Sequence, residues 1–115
     1  MNDYAGELHY KDKTYPVVFN LNVMEEIQKE YGELDKWGKL TDGKSGEVDA
    51  RAVIFGFTKM INEGLEIEAE DNGTPFTPLT HKQVGRMITE IGLHNATEVI
   101  NDTVIESTQS VEKNV

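Results

Sequence analysis

The sequence predicts an α+β domain: an N-terminal β-hairpin packed against about four α-helices, followed by a disordered C-terminal tail. Two β-rich runs flank a polar triplet near the start. Four later stretches carry apolar residues at three- and four-residue spacing, most of them behind a capping residue. From about Ser107 the chain turns polar, so the domain is expected over 1–106 and the tail over 107–115. With 115 residues there is one core to build, because two would each sit near the size at which unaided folding becomes marginal.

Residues 1–5 are expected to fray. Residues 7–10 and 14–19 form the hairpin around Lys11-Asp12-Lys13. Pro16 has no N–H, so the second strand should leave a side unpaired there. A lone hairpin is marginal in water, so its apolar face is expected against helices. Asn20 and Asn22 are both candidate N-caps for the first helix. Asn20 places Phe19 and Met24 at the staple positions, whereas Asn22 places Glu25 at the third helical position. Val23, Met24, Ile27 and Tyr31 make the buried stripe and Gly32 the C-cap. Leu34, Trp37 and Leu40 then form a short turn closing over the core.

Residues 41–48 read as a loop with two glycines. Asp49 caps the second helix, with Ala50, Val53, Ile54, Phe57, Met60 and Ile61 inward and Gly64 at its end. Phe55 falls off that stripe; it either packs on the hairpin or lies exposed as a partner contact. Glu63, Glu66, Glu68, Glu70 and Asp71 follow with no basic residue among them, and Asp71-Asn72-Gly73 with two prolines points to an exposed acidic loop to residue 78. Thr80 and Gln83 make a capping box for a third helix that buries Val84, Met87, Ile88 and Ile91. Gly92 ends or kinks it. The last helix presents Leu93, Ala96, Val99 or Ile100, Val104 and Ile105.

The formal charge is −10, from 21 acidic against 11 basic residues. A surface of that sign repels phosphate backbones and disfavours nucleic acid as a partner. There is no cysteine, so neither disulfides nor thiolate chemistry enter. The start lacks the basic and apolar regions of a signal peptide, and no apolar run reaches the roughly 18 residues of a membrane span; a cytosolic protein is expected.

Residues 38–45, Gly-Lys-Leu-Thr-Asp-Gly-Lys-Ser, fit the phosphate-loop pattern GxxxxGKS. In a true phosphate loop Lys44 would neutralise phosphates and Ser45 would help hold magnesium. The context opposes it. A helical turn, not a strand, precedes Gly38, Asp42 would face the phosphates, and no later strand ends in a metal-binding aspartate. Glu68, Glu70, Asn72 and Gly73 match the opening of a calcium loop, but position twelve would be Leu79 where a carboxylate is required. His9, His81 and His94 lack metal-ligand spacing. The expectation is a non-enzymatic protein with no catalytic residues, cofactor or metal.

The run Phe-Asn-Leu-Asn-Val-Met-Glu-Glu-Ile-Gln-Lys-Glu-Tyr-Gly over 19–32, with Leu34-Asp-Lys-Trp37, resembles the tail assembly chaperones of long-tailed (siphovirus-type) phages and prophages of Gram-positive bacteria. Residues 52–64, residues 79–88 and the polar tail agree in order, so the resemblance covers most of residues 7–106. It implies a protein of the host bacterial cytoplasm that binds the tape-measure protein, keeps it soluble and helps recruit tail-tube subunits. It also implies a longer form made by −1 frameshifting. Glu112-Lys113-Asn114 is compatible with the slippery codons GAA-AAA-AAC.

Candidates for the partner contact are Trp37, Leu40, Phe55, Glu66, Glu68, Glu70 and Asp71. The alternative reading is an acidic mimic or inhibitor that occupies the basic, nucleic-acid-binding surface of another protein. A mimic needs a regular double row of carboxylates; a chaperone needs apolar residues along a groove. Homo-oligomerisation is left open.

Overall fold

A computed structural model of the chain describes residues 5–44 and 46–113, with side chains described to Ser107. The fraying expected at 1–4, the Ser45 position of the loop pattern and Asn114 of the codon run lie outside the described residues.

Alternating and β-branched residues open the chain as a hairpin. Strand β1 (Ala5–Tyr10) pairs antiparallel with β2 (Lys13–Val18), Leu8 opposite Tyr15 and Tyr10 opposite Lys13. The turn is therefore Lys11-Asp12, one residue tighter than the triplet suggested, and Lys11 takes φ +56° to make it. Five helices follow rather than four: α1 (Leu21–Tyr31), α2 (Leu34–Thr41), α3 (Ala50–Asn72), α4 (His81–Ile91) and α5 (Leu93–Lys113). The extra one is α2, the stretch around Trp37 that looked like a single turn.

Local capping chemistry starts three of these helices. Asn20, not Asn22, caps α1: its side chain accepts from the Val23 N–H at 3.2 Å, with Phe19 buried beside it. Asp49 accepts from the Ala52 N–H at 2.8 Å to start α3. Thr80 and Gln83 form the reciprocal box of α4. Gly32 and Gly92 close α1 and α4 at positive φ.

Helix α3 is the axis of the domain, touching β2, α1, α2, α4 and α5. Its length corrects two expectations. Gly64 does not end it, and residues 65–72 are helix rather than loop. Gly64 is glycine because β2 crosses there: a Cβ would lie 2.7 Å from Pro16 Cγ and 3.2 Å from Val18 Cγ2. Beyond it Leu-Glu-Ile-Glu-Ala-Glu are almost all good helix formers, and the helix stops only at Gly73 in the left-handed region, where Thr74 N–H reaches back to the Ala69 carbonyl. The chain then folds back along α3. Asn62 clamps it there, donating to the Leu79 carbonyl at 2.9 Å and accepting from the Leu79 N–H at 2.8 Å.

The core joins Leu8, Val17 and Phe19 from the hairpin with Val23, Ile27, Trp37, Phe57, Met60, Ile61, Val84 and Ile100. Helix α5 packs on β1, with Ile100 fully buried, whereas Leu93 and Ile105 face outward. It also runs on through Lys113, past the point where a disordered tail was expected to begin. Ser107, the first residue of that tail, is buried and donates to the Phe19 carbonyl at 2.7 Å.

Candidate partner-binding surface

Trp37 leaves the set of contact candidates. It is 1% exposed, its indole N–H donates to the Ala52 carbonyl at 2.9 Å, and its ring fills the space a side chain at Gly56 would need. A residue held this way is core. Leu40 is half-buried against the same cluster. Phe55 packs neither on the hairpin nor free in solvent. It meets the edge of the Tyr31 ring at a centroid distance of 5.6 Å, and the Lys59 ammonium sits 5.4 Å from its own centroid. The Tyr31 hydroxyl, buried beside it, has no hydrogen-bond partner among the described residues, and burial is the main cause that raises its pKa, with the nearby Arg51 charge opposing it.

The phosphate-loop pattern has no phosphate-loop geometry. Gly38 lies inside α2, and the only sheet among the described residues ends at Val18. The Lys44 N–H is turned onto its own loop, bonded to Asp42 Oδ1 at 2.7 Å. The calcium pattern fails for the same kind of reason: Glu68, Glu70 and Asn72 project from a helix and cannot wrap an ion. Among the described residues no cluster of histidine or carboxylate could hold a metal. His9 Nδ1 lies 3.0 Å from the Thr14 hydroxyl and His94 pairs loosely with Glu98, so both have local partners. No described helix is long and apolar enough to cross a membrane.

What the structure does assemble is an acidic surface. Because α3 continues past Gly64, Glu66, Glu68, Glu70 and Asp71 stand exposed on a rigid helix instead of a loop. These carboxylates point to different sides of the helix: Glu66, with Glu63, shares a groove with Glu25 and Glu26 of α1, and Glu68 lines the second groove. Only Glu26 has a cationic partner, Lys59 at 3.4 Å; Glu25, Glu63, Glu66 and Glu68 make no ion pair among the described residues. Glu63 is held instead by neutral donors, the side-chain amides of Asn20 at 2.7 Å and Asn22 at 3.0 Å, which orient its carboxylate without cancelling its charge.

Into this surface projects Phe76, a residue the sequence reading passed over as part of a loop. Folded back by the Asn62–Leu79 clamp, it is 36% exposed and lines two adjoining grooves of about 390 and 320 Å³ along α3. One signal was available: an aromatic flanked by Pro75 and Pro78 in an otherwise polar stretch. No protein-family model, curated protein or solved structure matches the chain.

Proposed function

We propose that the protein is a non-enzymatic phage tail assembly chaperone, working in the host bacterial cytoplasm, that binds the tape-measure protein and helps bring tail-tube subunits to it. The observation that carries this reading is the combination of carboxylates without ion pairs among the described residues and an exposed aromatic in a preformed groove along α3, a surface suited to binding a chain. The resemblance of residues 19–32, 34–37, 52–64 and 79–88 to that family supplies the partner.

The acidic-mimic reading is weaker on size. The carboxylates from Glu63 to Asp71 span nine residues of helix, eight rises of 1.5 Å or about 12 Å. That is roughly a third of the 34 Å turn of duplex over which a DNA-binding half-site repeats. A patch so short replaces little of a nucleic acid.

Co-expression with the long, coiled-coil-rich product expected downstream in the same gene cluster tests the proposal. The soluble fraction of that product should rise several-fold, and the two should co-purify. An unchanged soluble fraction refutes the reading.

A further inference from the structure

We infer that the double groove beside Phe76 is a docking site for a basic amphipathic helix of the partner protein, with lysines or arginines on either side of an apolar stripe. This deepens the chaperone reading and rests on it only for the partner's name.

Three features define the occupant. The first is length. Lining residues of α3 run from Lys59 to Glu66 in the first groove and from Leu65 to Asn72 in the second, about 10 Å of helix each, so each groove seats about two turns of a partner helix laid alongside. The second is charge. Glu25, Glu63, Glu66 and Glu68 line the grooves with no ion pair among the described residues, and the one cation lining them, Lys59, is held by Glu26, so the carboxylates outnumber it for an incoming cation. A second copy of this chain, with its formal charge of −10, would bring like charge to the same face, and so would a nucleic acid.

The third feature is the apolar contact. Phe76 rises between the grooves, with Leu65 and Ala69 on one side and Pro78 on the other, and gives the apolar stripe its seat. Both walls are preformed: Asn62 fixes the backbone at Leu79, and Asn20 and Asn22 fix the Glu63 carboxylate. The groove backbone and the Glu63 carboxylate are therefore ordered before binding, and only the exposed Glu25, Glu66 and Glu68 side chains remain to be fixed.

The test uses the full chain and a fluorescein-labelled peptide of about 18 residues, capped at both ends, with leucines on one helical face and lysines flanking them. Fluorescence anisotropy should show binding that the same peptide with glutamate for lysine lacks. The triple variant Glu25→Gln/Glu66→Gln/Glu68→Gln should raise Kd about tenfold, and Phe76→Ala several-fold. The triple Glu47→Gln/Asp102→Asn/Glu106→Gln removes the same charge from exposed residues elsewhere and should change Kd less than twofold.

Equal weakening by the two triples would reduce the effect to overall charge and overturn the site, as would tight binding of the glutamate peptide. All substituted residues are exposed, and thermal unfolding checks that each variant is folded. The downstream product separates the two claims. If wild type and the groove triple both keep it soluble, the chaperone reading stands and this surface falls. If the peptide discriminates as expected but wild type does not solubilise that product, the surface stands and the partner's name falls.

Discussion

Gly56 sits inside α3 with the Trp37 indole laid across it. A Cβ added there would lie 2.4 Å from Trp37 Cζ2, 3.0 Å from Cε2 and 3.1 Å from Nε1. The indole is rigid, fully enclosed and anchored to the Ala52 carbonyl, so it cannot swing aside as the end of a lysine would. Gly56→Ala therefore sets two effects against each other. Overpacking a filled core costs about 1–3 kcal/mol, and displacing the indole N–H from its acceptor costs about 1 more. Replacing glycine by alanine within a helix returns about 1 kcal/mol. The expected net is a loss of about 1–3 kcal/mol, or a fall in Tm of roughly 4 °C for each kcal/mol.

Gly38 is the matched control. It lies inside α2 with nothing within 4 Å of an added Cβ, so Gly38→Ala should gain about 0.5–1 kcal/mol by the same helix propensity alone. Urea titration followed by the fluorescence of Trp37, the only tryptophan, reads both variants. Opposite signs are required. A Gly56→Ala protein as stable as wild type would mean that α2 does not bear on α3 through this contact.

Asn62→Ala should cost about 2 kcal/mol by removing both bonds to Leu79, and amide exchange at Leu79 should quicken as the segment after Gly73 is released; unchanged protection of that amide would refute the clamp. Tyr31→Phe should leave stability at pH 7 unchanged or raise it by up to about 1 kcal/mol, because the hydroxyl it removes is buried without a partner. Burial raises the pKa of Tyr31, so the unfolded chain releases this proton first, near the ordinary value of about 10. Its contribution is then complete below about pH 10 and is lost as pH rises toward the folded pKa. Denaturant titrations should show the gap between variant and wild type widening above about pH 10 in the variant's favour; a constant gap would refute the assignment.

Features that depend on a few adjacent residues were legible in the sequence. Asp49, Thr80 with Gln83, and Asn20 as one of two candidates each cap a helix through partners three residues away, and the hairpin follows from two short runs and a turn. Glycines were legible only where the reason was local. Gly32 and Gly92 end helices through their own φ, but Gly64 and Gly56 sit mid-helix because Pro16 and Trp37 need the room. Those partners are 48 and 19 residues away in the chain, beyond any local rule. The true end of α3 did carry a local mark, Gly73 followed two residues later by Pro75, which the run of like charges before it obscured. The candidate surface suffered from the same confusion. Trp37 stood both as part of a turn closing over the core and as a contact, and only its distant partners Ala52 and Gly56 decide for the core; Phe76 looked like loop because its neighbours are polar.

The extension of α3 past Gly64 bears on function as well as fold. Up to Gly64 the helix is a core element, its face filled by Val53, Phe57, Met60 and Ile61. Beyond Gly64 the same helix, with Ala69 still buried, carries Glu66, Glu68, Glu70 and Asp71 on a scaffold anchored at its other end by that core. A flexible acidic loop would have to be ordered on binding, at roughly 1–2 kcal/mol of backbone entropy for each residue fixed. A helix already formed, with Phe76 folded against its side, has met that cost during folding. Gly64 matters to this stretch because it lets β2 pack close against the helix, and the helix continues through it despite the low helix propensity of glycine.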